Sequence, residues 1–330
     1  MKRAAYLFGL LAVLSCNPMK NTNPVDIKIE SRVKGKKINL MHLKPERENR
    51  GEAILFVHGA SFPSELASGF RMNGISWMDN LADAGYNVYA LDFLGYGKSD
   101  RYDYMLGNSA ETGNTGRGKE VVEDMDKAVN YILTELNISG IHLIGHSWGA
   151  TVSGHYATLF PEKINKLVLF APFIQRNGTT DWDKTKALYK DLTPAQRVKQ
   201  FISSIPGGRD MTLEDEVLEK WKNKWLESDP TSKNRSPFSV RFPSAWQIDL
   251  FDCWNGNCFF EPGKIRNSTL LIRGEWDTTF SFDDAEKLFE QLQNTPSKRY
   301  VVIDRGTHVL HLEKNRFALY DEVQLFLKSR

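Results

Sequence analysis

Cysteine is scarce in this chain: there are 3 among 330 residues, at positions 16, 253 and 258. No second Cys or His pair stands at ligand spacing, so the sequence gives no support for a zinc site. No other metal and no cofactor is called for. An excess of charge of one sign is also missing. Lys plus Arg number 43 and Asp plus Glu 41, a formal net charge of +2. Nucleic-acid binding needs many phosphate-neutralising cations, so that class of partner is excluded. Beyond the N-terminus there is no run of about 18 apolar residues, which excludes a multi-span membrane protein. With 24 Gly, 13 Pro, 41% hydrophobic and 25% charged residues, collagen-like, low-complexity and wholly disordered chains are excluded too. No internal repeat is visible. What remains is a globular chain long enough for two ordinary domains, or for one large domain carrying an insertion.

Lys2 and Arg3 precede an apolar run of 11 residues, Ala4 to Leu14. That is too short to span a bilayer and the right size for the core of a signal peptide. The run ends in Val13-Leu14-Ser15-Cys16, which resembles the lipobox of bacterial lipoproteins. The resemblance implies removal of residues 1–15, lipidation of Cys16 and a polar tether over residues 16–26. The chain would then be exported and anchored to a bacterial membrane. The alternative is a plain secretory signal cleaved nearby, with Cys16 incidental. Cleavage before Cys16 removes Lys2 and Arg3 and leaves 41 charges of each sign.

The other two cysteines stand in Cys253-Trp-Asn-Gly-Asn-Cys258. Asn255-Gly256 favours a tight turn, which brings the two sulfurs together. An oxidising compartment would join them as a disulfide. Two separate thiols are the alternative.

Short apolar runs alternate with helical patterns along the chain. Residues 53–57, 86–91, 141–144, 167–170, 269–273 and 299–303 read as strands. Residues 66–84, 119–136, 151–160, 282–293 and 316–328 read as helices. The alternation predicts a mostly parallel central sheet with helices on both faces. It breaks between about Pro172 and Pro262, where no strand of that kind occurs. The expected organisation is a core in two parts, 27–171 and 263–330, with 172–262 inserted as a mainly helical cap.

The strongest chemical signal is Gly145-His146-Ser147-Trp148-Gly149, between a strand and a helix. A nucleophilic serine needs that context: a strained turn lifts its hydroxyl clear of the sheet, and glycines two residues away on each side avoid collision. The helix N-terminus favours the negative charge that develops there. A serine also needs a base. Among seven histidines, His308 follows the last strand in a loop containing Gly306, with His311 as rival. The base needs an acid to hold its tautomer. Asp277 follows the strand 269–273, with Glu275 as rival. The oxyanion donors are expected to be the amides of Trp148 and of Ala60, or else Ser61, in the loop after strand 53–57. His58 in that loop reads as a brace.

On these residues the chain resembles the α/β-hydrolase-fold serine hydrolases with a cap domain. The matching motifs are His58-Gly59-Ala60, Asp92 to Ser99, Gly145 to Gly149, Gly274-Glu-Trp-Asp277 and His308 to Glu313, in family order. The resemblance implies the α/β-hydrolase fold and a triad of Ser147, Asp277 and His308. Thr307 is a departure, since the family often has Gly directly before the histidine. Epoxide hydrolases and haloalkane dehalogenases use Asp at the elbow, so Ser147 disfavours those chemistries. The implied activity is hydrolysis of a small-molecule ester, amide or related acyl compound. Trp148 is similar to the iminopeptidases at that position, which makes an aminopeptidase the alternative. A non-enzymatic binding protein on a hydrolase fold is the third reading. Fold alone does not choose the substrate or the oligomeric state.

Three further features need weighing. Gly113 to Lys119 fits most of a phosphate-binding loop, but Glu120 stands where Ser or Thr should hold magnesium. Five of the eight Trp fall in the inserted block, and read as the cap's own small core, with the lining of an apolar substrate pocket under a lid as the alternative for some of them. Glu214, Asp215, Glu216 and Glu219 form an acidic run, which reads as a solvated face rather than a site for a substrate amine.

Overall fold

The computed structural model describes residues 23–45, 49–107 and 115–329. The signal sequence, Cys16 and part of the tether expected from the sequence lie outside these residues, as do Gly113 and Asn114.

The first two strands, β1 (Val25–Glu30) and β2 (Lys37–Leu43), pair antiparallel at one edge of an eight-stranded sheet. β1 alternates polar and apolar residues with one face partly covered, and β2 is buried from Ile38 to Leu43 but carries Asn39 and His42 within its run, so neither reads as a continuous apolar run. The central strands β3 (Ala53–Val57), β4 (Asn87–Asp92) and β5 (Ile141–His146) are buried along their whole length. That is why they read as continuous hydrophobic runs. The sheet continues through β6 (Ile164–Phe170), and two later strands, Ser268–Gly274 and Lys298–Ile303, complete it. All pairings from β4 onward across the sheet are parallel. β3 lies between β4 and β5, so the winding reverses direction beside β3. Loops leaving the carboxyl ends of strands at such a point open a crevice between them.

The apolar spacing between Leu66 and Ala84 does not make one helix. Asn73 and Gly74 take left-handed backbone conformations (φ 52° and 81°), which interrupt it. Helix α1 covers only Trp77–Asp83, starting where Ser76 and Asp79 cap each other reciprocally. Helix α2 (Gly118–Leu136) buries Val121, Val122, Met125, Ala128, Val129 and Ile132, the stripe expected from its period. Helix α3 (Trp148–Leu159) follows β5 with a single residue, Ser147, between them.

Between β6 and the seventh sheet strand the chain leaves the core. This segment holds an antiparallel ribbon, β7 (Tyr189–Leu192) with β8 (Val240–Pro243), and three helices: α4 (Pro194–Phe201), α5 (Lys222–Glu227) and α6 (Ala245–Trp254). The ribbon was not legible, because each strand has four residues and charged side chains among them. The chain then re-enters the sheet as β9 (Ser268–Gly274) and β10 (Lys298–Ile303), separated by α7 (Phe282–Gln291) and followed by α8 (Arg316–Lys328).

The inserted segment is tied to the core through buried groups. The indole Nε1 of Trp221 donates to Leu66 O (2.9 Å) and that of Trp225 to Ser61 O (3.0 Å). Both rings are fully buried, and each contributes about 2–3 kcal/mol by leaving water. Behind them, Leu213 pairs with Glu313 in a short antiparallel bridge. No helix among the described residues is long and apolar enough to cross a membrane.

Candidate active site

Ser147 occupies the turn between β5 and α3 with φ 55° and ψ −127°, a strained conformation for a residue with a side chain. The flanking glycines permit it. A Cβ at Gly145 would lie 2.6 Å from Ala150 Cα, and one at Gly149 would overlap the His58 carbonyl. The turn delivers the Ser147 hydroxyl to the carboxyl end of the sheet, at the N-terminus of α3. The amide of Trp148, in the first turn of that helix, has no intrahelical acceptor.

His308 follows β10 and Asp277 follows β9, two neighbouring parallel strands. A Cβ at Gly274 would overlap the Gly306 carbonyl, so glycine there lets the two loops meet. His308 Nε2 is 2.8 Å from Ser147 Oγ, and His308 Nδ1 is 2.9 Å from Asp277 Oδ2. A carboxylate at Nδ1 fixes the proton there and leaves Nε2 to accept from the serine hydroxyl. Asp277 is 2% exposed, and its Oδ1 accepts from the amides of Thr279 (2.9 Å) and Phe280 (3.1 Å). The three side chains singled out in the sequence therefore touch in series.

The rivals lie elsewhere. Glu275 accepts from the Arg305 amide (3.0 Å) at the exposed side of the loop. His311 is buried, its ring packed 4.5 Å from that of His146, and burial pushes its pKa down to about 3. His146 Nε2–H donates to the carbonyl of His308 (2.8 Å), so this residue braces the backbone of its partner loop. Burial, with His311 and His308 nearby, holds His146 well below its usual pKa. His58 braces as expected. Its Nε2 accepts from the Phe93 amide (3.2 Å), which puts the proton on Nδ1, facing Gly59 O at 2.6 Å. Burial lowers its pKa to about 4.

Thr307, the departure before the histidine, earns its place through Glu313. Its hydroxyl donates to Glu313 Oε1 (2.5 Å) and its amide to Oε2 (3.0 Å). Thr212 donates to the same fully buried carboxylate (2.8 Å), which ties the inserted segment to the His308 loop.

A cavity of about 340 Å³ opens over Ser147 and His308, lined on the core side by Ala60, Phe62, His146 and Val309. The inserted segment supplies the roof. From α4 come Arg197, Gln200 and Phe201, at helical spacing, and from α6 come Trp246, Leu250 and Trp254. Lys190 and Leu192 project from one face of β7, beside Phe242 of β8. Two of the five cap tryptophans, Trp246 and Trp254, thus line the cavity, which is the alternative reading of them rather than the cap core. Also on α6, but outside the cavity lining, Asp249 accepts from Trp148 Nε1 (3.0 Å), Arg117 Nε (2.7 Å) and the Gly118 amide (2.7 Å). Neither Asp249 nor the Trp225 clamp on Ser61 carries a sequence motif.

The remaining candidates resolve as structure. Cys253 and Cys258 are joined by a disulfide at the end of α6. Glu214 pairs with Arg316, Glu216 accepts from the Asn73 amide (3.0 Å), and none of the acidic run lines the cavity. In the glycine-rich loop, the Gly116 amide donates to Glu120 (2.8 Å), so a carboxylate sits where a phosphate would. Among the described residues no group of three His, Cys, Asp or Glu side chains could hold a metal ion.

The chain is similar to several hydrolases. The 2-hydroxy-6-oxononadienedioate/2-hydroxy-6-oxononatrienedioate hydrolase of Escherichia coli (strain K12 / DH10B) is 31% identical over 118 residues. That match covers 36% of this chain and only 35% of the relative's length. The hydrolase of the same name from Comamonas testosteroni is 24% identical over 275 residues, 81% of this chain and 84% of that one. Among solved structures, the esterase EaEST from Exiguobacterium antarcticum superposes with a TM-score of 0.63 at 19% identity, covering 92% of this chain and 100% of that one. The model of the alpha/beta hydrolase fold family matches residues 52–315, and the chain belongs to that family.

Proposed function

We propose that this protein is a serine hydrolase that cleaves a small ester, amide or related acyl compound through an acyl-enzyme. The observation that carries this reading is the unbroken series Asp277–His308–Ser147, with contacts of 2.9 and 2.8 Å. Ser147 Oγ attacks the carbonyl carbon and its proton passes to His308 Nε2. Asp277 stabilises the imidazolium that forms. The amides of Ala60 and Trp148 donate to the oxyanion, and each such donor is worth about 100- to 1,000-fold in turnover. His308 returns the proton to the leaving group. It then takes one from water, which releases the acid and restores Ser147.

The cavity lining argues against an aminopeptidase. It has no carboxylate to hold a substrate amine, and it carries Lys190 and Arg197 instead. A second reading, hydrolysis of a carbon–carbon bond next to a ketone, is favoured by the Comamonas testosteroni relative, a 2-hydroxy-6-oxononadienedioate hydrolase. It would use the same three residues. Export and lipidation at Cys16 complete the proposal, and the Cys253–Cys258 disulfide fits an oxidising compartment. Ser147→Ala is expected to stop hydrolysis of 4-nitrophenyl butyrate while leaving the fold intact. Wild-type turnover by that variant would refute the mechanism.

A further inference from the structure

We propose that the substrate carries a carboxylate, remote from the reacting carbonyl, which Arg197 and Lys190 hold beneath the roof of the cavity. The inference rests on Ser147 being the reacting group and adds the class of compound that reaches it.

The two cations share the cavity of Ser147, and no acidic side chain lines it. Arg197 donates to the neutral Gln200 (2.7 Å), and its Nε is buried without a partner. The Lys190 side chain makes no hydrogen bond or ion pair among the described residues. Asp191, the next residue along β7, points to the other face and pairs with Arg241 (2.8 Å). Proteins seldom place two cations in an enclosed space without a counter-charge, because each loses hydration and repels the other. Burial and the nearby Arg197 both hold Lys190 below its ordinary pKa, and burial brings Arg197 down to about 10. The rings of Phe201 (5.5 Å) and Phe62 (6.0 Å) lie near the guanidinium and offset part of that cost without neutralising it. A carboxylate would neutralise it. The planar guanidinium matches a carboxylate through two parallel N–H donors, and the ammonium adds a point charge.

The placement gives the arrangement its use. Oxyanion donors lie on the core side, and both cations come from the inserted segment. An acyl compound with a charge at its far end would be held at both ends, with apolar walls from Trp246, Leu250 and Phe242 between. Binding energy from the remote charge then aligns the carbonyl with Ser147.

The test compares esters alike in length and different in charge: the mono-4-nitrophenyl ester of adipic acid against 4-nitrophenyl hexanoate, and 4-butyryloxybenzoate against phenyl butyrate. The wild type is expected to favour the anionic member of at least one pair by about 10- to 100-fold in kcat/KM, mainly through KM. In Arg197→Gln that ratio should fall toward one, and Lys190→Gln should lower it less. Equal rates within both pairs, or an unchanged ratio in Arg197→Gln, would overturn the proposal. Calorimetry needs no turnover and no variant: adipate should bind the wild-type protein and adipamide should not, and equal binding of the two, or none of either, counts against it. Loss of all ester hydrolysis with adipate still bound would instead put the fault with Ser147 as nucleophile.

Discussion

The carboxylate of Asp249, on α6, accepts a hydrogen bond from the indole Nε1 of Trp148, the residue directly after Ser147 (3.0 Å). The same carboxylate binds Arg117 and the first amide of α2. One buried acid thus joins the inserted segment, a core helix and the elbow. Removing it leaves the Trp148 indole N–H and the Gly118 amide without their acceptor, while Arg117 keeps its second partner, Asp252 (2.6 Å). Asp249→Ala should lower stability by about 2–4 kcal/mol, the cost of leaving two buried N–H donors unsatisfied. Urea unfolding checks this, and a loss under about 1 kcal/mol would mean that the contact matters little.

Asp277→Asn separates orientation from packing. An Asn Oδ1 can still accept from the amides of Thr279 and Phe280, so the loop should hold. Its NH₂ would face His308 Nδ1 and force the proton onto Nε2, where it faces Ser147. The variant should fold normally and lose about 10³- to 10⁴-fold in kcat. Steady-state kinetics with a 4-nitrophenyl ester measure it, and a loss below about tenfold would give Asp277 no part in holding the tautomer.

Several histidines are buried neutral, and His42 is the one best suited to a pH test because it lies far from Ser147. It stacks on Tyr89 at 3.9 Å, is 6% exposed, and burial lowers its pKa to about 4 from 6.5. A lowered folded value means that its contribution is complete above pH 6.5 and is lost as pH falls toward 4, since the unfolded chain takes up the proton first. Between pH 7.5 and 5 the wild type should therefore lose on the order of 1–2 kcal/mol that His42→Phe keeps. Urea midpoints of both proteins at the two pH values test this. Parallel pH dependence would show that His42 does not titrate in this window.

The cap clamp offers a stability test independent of chemistry. Trp225→Phe keeps most of the buried ring but loses the bond to Ser61 O, in the loop that carries Ala60. The expected cost is about 1–3 kcal/mol, with a lower kcat as the loop loosens. A thermal melt alongside kinetics reads both, and unchanged values in both would leave the clamp without a role.

Ser147, Asp277 and His308 could be found in the sequence because each follows a strand whose apolar run is itself visible. Gly145 and Gly149 marked the turn for a steric reason that the backbone shows directly. Other features depend on tertiary pairing and leave no local trace. Asp249 meets Arg117 and Trp148 only once α6 packs over α2, and nothing in their spacing suggests it. Lys190 and Arg197 stand in an ordinary polar segment, and only the cavity makes their lack of a counter-charge visible. Strand β1 was missed because it alternates and β2 because Asn39 and His42 interrupt its buried run, and the helix read over 66–84 failed at Asn73-Gly74, where the backbone turns left-handed. Ser76 and Asp79 carry the cap signature that would have placed its start.

The central claim is that Ser147 is a nucleophile activated by His308. Its most direct measurement is the intact mass of the folded protein after treatment with a fluorophosphonate, followed by peptide mapping. One adduct per chain, on Ser147, formed quickly in the wild type and lost in His308→Gln, is the expected result. No adduct in folded protein, or one on another serine, would contradict it.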